Sequence, residues 1–339
     1  MSGRDWQFSN VWNDSLLRRE ERAIEPRNYI WASELGGSYI DRYLKMTGVK
    51  PTNPPNARSL RKFQAGNLWE WIVSFTLKRA GLLIDQQEKI KFQYEGLLEV
   101  SGKQDFIAGG TPNWDLARKD MNTYDLPDTI KLISLSIIDD LEFKYGYEPL
   151  KEIVLEVKSM SSVMFQYLER IDRPLDNHRL QIYHYLKGKN MQEGHMVYID
   201  KDSCLLKEYH VYLNSEVEHY YRADIEQMTK YLRGGERPPL DAEVIFDEAT
   251  CKFKKNSKVE YSNYLTMLYK YEMPMDYDNR WRKSIAGWNR VLKRIVDGAN
   301  MTKGNLEAVA EAKKVFANFD ELVEKAKKVG VIEDEENEE

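Results

Sequence analysis

Ile153-Val-Leu-Glu-Val-Lys-Ser159 is the stretch whose reading decides the fold. It is a β-branched and aliphatic run, the composition of a buried strand, interrupted by one acid and one base. Side chains alternate along a strand, so Glu156 and Lys158 share a face, roughly 6–7 Å apart, while Leu155 and Val157 take the other. A carboxylate and an ammonium aimed the same way from an apolar strand are costly unless something uses them. A divalent metal and a phosphate would use both.

Glu-x-Lys alone is a weak signal. It occurs at Glu142/Lys144, Glu156/Lys158 and Glu311/Lys313, and only the middle pair sits on a strand pattern. A surface salt bridge on an edge strand is the competing reading, so the rest of the chain must decide.

Working toward the N-terminus, Ser33 reads as the cap of a short helix running to about Met46, and residues 48–58, with three prolines, as a loop. A strong helix is expected from about Ser59 to Ala80, ended by Gly81. Its run Leu68-Trp-Glu-Trp-Ile-Val73 is apolar except for Glu70, which at helical spacing shares a face with Phe63, Gly66, Val73 and Leu77. Residues 89–108 read as a hairpin with Ser101, Lys103 and Asp105 on one polar face of its second strand. Nearby glycines permit close backbone approach of a ligand or simply mark a turn. Residues 109–127 are expected to be a long polar loop, followed by a helix over 129–144.

Toward the C-terminus, 177–188 reads as a helix with Gln181 and Tyr185 one turn apart. Strands are expected at 195–199 and 205–212, then a helix to about Leu232. Gly234-Gly-Glu-Arg-Pro-Pro239 is a boundary signal, and 276–330 looks largely helical.

Composition narrows the class. The 339 residues suit one large domain with an appendage, or two domains. Net charge is −5, but six acids lie among the last seven residues, and residues 1–80 hold thirteen Lys/Arg against eight Asp/Glu. A nucleic-acid partner therefore remains compatible, because the local patch is what matters. Two cysteines, Cys204 and Cys251, supply neither a disulfide framework nor a four-cysteine cluster. No signal peptide and no long apolar run is seen, so a cytoplasmic protein without a membrane partner is expected.

The ordered set Gly66…Glu70, Gly102-Lys-Gln-Asp105, Glu156-Val-Lys158 and Gln181-Ile-Tyr-His-Tyr185 resembles the PD-(D/E)XK nuclease superfamily. It is most similar to the RecB-like branch, which includes CRISPR-adaptation nucleases and phage recombination exonucleases. Four weak motifs fall in order on the right elements, over about residues 30–240. Three departures stand out: Glu70 occupies a position where many relatives have His, some fifty residues separate Asp105 from Glu156, and the cysteines for an iron–sulfur cluster are missing.

The resemblance implies an α/β fold with a restriction-endonuclease-like core, its central mixed β-sheet flanked by helices, and a mostly helical C-terminal extension. The resemblance places a nuclease domain at 1–240 with an insertion at 109–150, while the sequence pattern adds a helical region at 241–330 and the run of acids a disordered tail at 331–339. It implies a Mg2+-dependent DNA nuclease, with Mn2+ able to substitute and no iron–sulfur cluster. The activity would be that of an exonuclease in recombination, repair or phage DNA processing, in a bacterial or phage-infected cell, with a recombination or repair protein as a further partner. A restriction-type endonuclease on the same fold and a catalytically silent DNA-binding module are the alternatives. By resemblance, Asp105 and Glu156 are the main metal ligands, helped by the Val157 carbonyl, with Glu70 an additional ligand. Lys158 would orient the attacking water and stabilise developing charge, its pKa lowered by the ion. Gln181 and Tyr185 would support the site and contact DNA. Arg58, Arg61, Lys62 and Lys103 are candidates for phosphate contacts. Trp69, Trp71 and Trp114 are candidates for base stacking or for the core.

Overall fold

The quoted stretch lies within an 11-residue strand, Leu150–Met160, in the middle of a five-stranded mixed sheet. The computed structural model describes residues 7–17 and 25–329. The chain divides into two units. The first comprises Met1–Gly37, Lys45–Gly48 and Pro55–Arg237; the second comprises Ser38–Leu44, Val49–Pro54 and the chain from Pro238 onward. Residues 331–339, expected to be an acidic tail, lie outside the described residues.

In chain order the first part contains α1 (Phe8–Leu17), β1 (Tyr29–Trp31), α2 (Tyr39–Met46) and α3 (Ala57–Arg79). Strands β2 (Leu83–Gln86), β3 (Lys89–Phe92), β4 (Glu99–Lys103) and β5 (Phe106–Gly110) follow, then helices α4 (Trp114–Thr123) and α5 (Asp128–Tyr145). Next come β6 (Leu150–Met160), α6 (Ser162–Ile171), α7 (Asp176–Lys189), β7 (Glu193–Asp200), β8 (Leu206–Tyr212) and α8 (Ser215–Gly234). The central sheet has the order β2-β5-β6-β7-β8, with β6 and β7 parallel and the other pairs antiparallel. A smaller sheet runs β1-β4-β3.

The two faces of β6 are covered by different helices. Glu156 is paired across the sheet with Met196 and Lys158 with Tyr198, and Gln181 of α7 hydrogen-bonds Glu156. Close contact of α7 with this face needs a residue without a side chain at 194, where a Cβ would stand 2.9 Å from the Ile182 Cδ1. The opposite face carries Leu155 and Val157, which pack with Phe106 and Ile199 against Trp69, Val73 and Leu77 of α3. Each such buried aliphatic side chain contributes roughly 1.5–3 kcal/mol. This face is only partly closed, and beside α3 it opens into an apolar trough of about 720 Å³. The acid–base face is therefore the more deeply covered of the two.

Several expectations require correction. The stretch 109–127 is not a continuous loop but contains α4, capped by Asn113, whose side chain accepts from the Leu116 N–H. Trp114, Ala117 and Met121, at helical spacing within a polar sequence, pack on Ile138. Ser33 does not cap a helix to Met46; a short 3-10 turn at Ala32–Glu34 precedes Gly36 and Gly37, and α2 starts at Tyr39. The supposed hairpin of 89–108 holds for β3 and β4, but the chain then crosses at Gln104 and Asp105 into the central sheet as β5.

The second unit contains a hairpin, β9 (Val244–Asp247) and β10 (Lys252–Lys255), and helices α9 (Ser257–Glu260), α10 (Leu265–Tyr269), α11 (Pro274–Val296), α12 (Lys303–Val315) and α13 (Phe319–Val329). Its core joins Phe253 of the hairpin to Trp281 and Trp288 of α11, Ala312 of α12, and Phe319 and Val323 of α13. No helix among the described residues is long and apolar enough to cross a membrane.

Candidate active site

Asp105 occupies the crossing between the two sheets, and the crossing brings it to β6. Its Oδ2 accepts the Val157 backbone N–H at 2.9 Å, and its Oδ1 is 3.4 Å from the Gln87 amide. On β6, the Lys158 ammonium donates to Glu156 Oε1 at 2.8 Å. The same oxygen accepts from Gln181 Nε2 at 2.7 Å, while Glu156 Oε2 is buried with no hydrogen-bond partner. The Gln181 amide also donates to the Tyr185 hydroxyl at 3.1 Å, and that hydroxyl donates to the Lys103 carbonyl at 2.8 Å. The end of β4, the Asp105 crossing and the acid–base pair of β6 are thus tied together by the Gln181/Tyr185 face of α7.

Glycine at 102 is required by this packing. A Cβ there would lie 2.6 Å from the Ala32 Cβ and 2.8 Å from the Tyr185 ring. Gly66 is different: a Cβ there would meet only the Ser159 Oγ, at an ordinary 3.7 Å.

Charge in the cluster is unbalanced. Glu156 is fully buried, and burial pushes its carboxyl up to about 8; Asp105 adds to this and Lys158 only partly offsets it. Burial likewise raises Asp105, against the pull of Lys158 and the Val157 N–H. Glu70, half-buried on α3, is raised by burial and then by the charge of Asp105, with Lys158 opposing. Burial disfavours the Lys158 ammonium, but Glu156, Asp105 and Glu70 outweigh it and hold its pKa above the ordinary value. The expected lowering of Lys158 depends on an ion's charge; the protein's own charges act the other way. Three carboxyl groups around one ammonium leave an excess of negative charge in a low-dielectric site, which a hard cation would relieve.

The structure therefore brings Glu70, Asp105, Glu156, Val157, Lys158, Gln181 and Tyr185 into one cluster. The basic candidates are more scattered in their surroundings. Arg58, Lys62 and Lys103 are exposed, whereas Arg61 is hydrogen-bonded to Asn13 and lies 5.6 Å from the Trp12 ring centroid. Trp114 is 2% exposed and donates its indole N–H to the Gly146 carbonyl, so it belongs to the core and does not stack on bases. Trp69 packs on the sheet, and Trp71 is half-exposed, stacked on Phe75.

No family model matches the chain, and no curated protein matches it by sequence. Solved structures with a similar arrangement include the crystal structure of SSO0001, at 14% identity and a TM-score of 0.40, over 69% of this chain and 89% of that one. An alkaline exonuclease from Laribacter hongkongensis is similar at 11% identity and a TM-score of 0.37, over 67% of this chain and 96% of that one. The same exonuclease in complex with dAMP matches at 10% identity and 0.39, over 67% and 93%. Likeness at this level carries no functional inference.

Two neighbours of the cluster are not evident from the sequence. Gln87 reaches Asp105 from the turn between β2 and β3, with nothing in its local pattern to mark it. His178 lies one turn before Gln181 and contacts the Tyr198 hydroxyl at 3.0 Å through Nδ1. Burial, reinforced by Lys158, lowers its pKa to about 3 and keeps the ring neutral. The spacing 178, 181, 185 along one helical face is the signal that would have found it.

Proposed function

We propose that this chain is a Mg2+-dependent DNA nuclease of the PD-(D/E)XK superfamily, in its RecB-like branch, acting as an exonuclease in recombination, repair or phage DNA processing. The observation that carries the reading is the carboxylate excess around Lys158, with Glu156 Oε2 buried and unpartnered. A buried, orphaned carboxylate oxygen with Asp105 close by and Glu70 within electrostatic reach supports a site for a hard divalent ion. Asp105, Glu156, Glu70 and the Val157 carbonyl would hold the ion. When bound, it would neutralise phosphate charge and acidify water.

The remaining roles fall to the chain's own groups. Lys158, on the same strand face as Glu156 and bonded to it, orients the attacking water and stabilises charge developing on the phosphate oxygen. Gln181 fixes the Glu156 rotamer so that Oε2 stays directed away from Lys158. Tyr185, 1% exposed, is too buried to contact a DNA strand; it fixes the Lys103 carbonyl, and through it the crossing that carries Asp105. Arg58, Lys62 and Lys103 are exposed, which supports a role in contacting phosphates, and Arg61 would exchange its Asn13 contact for one.

The test compares wild type with Lys158→Ala on end-labelled linear and closed circular DNA, each with Mg2+, Mn2+ or EDTA. Metal-dependent loss of linear DNA alone, reduced at least 100-fold by the substitution, is the expected result (a loss of roughly 2.7 kcal/mol or more in transition-state stabilisation). Cutting of the circle would instead identify a restriction-type endonuclease. Binding without cleavage in both proteins would point to a silent module, and unaltered activity in Lys158→Ala would remove the cluster from consideration as the active site.

A further inference from the structure

On the opposite face of the sheet from Glu156 the sequence repeats a short pattern on neighbouring strands: Glu193-Gly-His195 on β7 and Glu208-Tyr-His210 on β8. The antiparallel register sets His195 directly opposite His210, Val197 opposite Glu208, and Glu193 opposite Tyr212. All four acid and imidazole side chains therefore stand on one face, the face that Leu155 shares through its pairing with His195. The two imidazole rings have centroids 4.1 Å apart.

The contacts among these side chains converge on one point. His195 Nδ1 contacts Glu208 Oε1, and its Nε2 lies 3.3 Å from Glu193 Oε1. A neutral imidazole carries one N–H, so it can satisfy one of these carboxylates and must turn a lone pair toward the other. Glu193 Oε1 is also 2.9 Å from His210 Nδ1. Its second oxygen is taken by the Lys151 ammonium. Two imidazole nitrogens thus converge on one carboxylate oxygen, and the three ligand atoms lie within 4.8 Å of one another. A cation placed among them would be met by all three donors at once.

We propose that Glu193, His195 and His210 bind a divalent transition-metal ion of the Zn2+ class, with Glu208 orienting His195 through its far nitrogen. Ligands at 2.0–2.1 Å in a tetrahedral arrangement are about 3.3 Å apart, close to the 3.3 and 2.9 Å that already separate the two imidazole nitrogens from Glu193 Oε1. A carboxylate on the non-ligating nitrogen of a metal-binding histidine is the usual way of fixing tautomer and ring orientation. Imidazole donors favour zinc-class ions over Mg2+, which separates this site chemically from the oxygen-only cluster around Glu156. The His210 side chain is 53% exposed, so ions enter from solvent and a water completes the coordination. Because β8 is the edge strand, the ion would fasten that edge to β7.

The experiment uses full-length protein stripped with EDTA and dialysed, then titrated with Zn2+ by calorimetry in the presence of excess Mg2+. Co2+ serves as a visible spectroscopic probe of low-coordinate geometry. Wild type and Glu156→Gln are expected to take up one equivalent each, while His210→Ala weakens uptake at least tenfold and loses the zinc-induced rise in Tm. His210 is exposed enough for this variant to fold, and its metal-free melting curve provides the check; Glu208→Gln, also at an exposed side chain, gives a second variant with weakened uptake. No uptake by wild type at micromolar Zn2+ would show that the cluster is a surface hydrogen-bond network and not a metal site, and equal uptake by His210→Ala would place the ion elsewhere. Either result overturns the proposal.

Discussion

Glu156 is the residue at which burial and chemistry meet most directly. Its folded value of about 8 lies above the ordinary 4.5. A carboxyl raised in this way favours the fold while protonated: the contribution is complete below about 4.5 and disappears as pH rises through about 8. The metal-stripped protein should therefore lose stability across that window, and Glu156→Gln, an isosteric neutral amide, should flatten the loss. Melting temperatures of both proteins in EDTA from pH 5 to 8.5 would show the gap closing toward acid and widening toward base; parallel curves would mean that Glu156 is ionised throughout. The pairing of Glu156 with Lys158 is legible in the sequence because a period of two is local. That their face is the more covered one is not legible, since it depends on α7, twenty-odd residues further on, laying Gln181 against Glu156.

At the scale of elements, legibility follows how much of the signal is local. Strand β6 and helices α3, α5 and α7 announce themselves through β-branched runs, caps and apolar periodicity. Helix α4 does not, because its buried Trp114, Ala117 and Met121 are diluted by charge; β2, β9 and β10 are too short, at four residues each, to show a period. The two glycines of the site motifs separate element packing from function. Gly102→Ala would drive a methyl into Ala32 and Tyr185, costing about 1–3 kcal/mol and displacing the hydroxyl that holds the Lys103 carbonyl. Gly66→Ala, inside α3 with open space, should instead stabilise by about 0.5–1 kcal/mol through helix propensity. Urea denaturation of the two variants should thus move the midpoint in opposite directions. A destabilised Gly66→Ala would show that α3 approaches β6 more closely than its Ser159 contact indicates.

For the whole molecule, the boundary signal at 234–239 falls near the division at Arg237, but the second unit also borrows 38–54 in part, which no local pattern reveals. Within that unit Ile40 and Leu44 are buried with Tyr264 and Leu268, and Asp41 accepts from the Ser262 hydroxyl at 2.8 Å and the Asn263 N–H at 3.2 Å. Segments more than two hundred residues apart in sequence thus complete one core, so a cut at 237 would separate partners, not release a finished domain. Two consequences should be measurable. A fragment of residues 238–339 should keep the cluster around Phe253 and Trp288 but lose order around Tyr264, whose apolar neighbours Ile40 and Leu44 are absent. In the full chain, Asp41→Ala leaves the buried Ser262 hydroxyl without its acceptor, at a cost of about 1–3 kcal/mol. Hydrogen exchange followed by mass spectrometry should then show faster exchange over 257–269 in Asp41→Ala, with 281–292 unchanged. Uniformly faster exchange across 244–329 would instead mean that the second unit unfolds as a single cooperative block, with the 38–44 segment part of its nucleus.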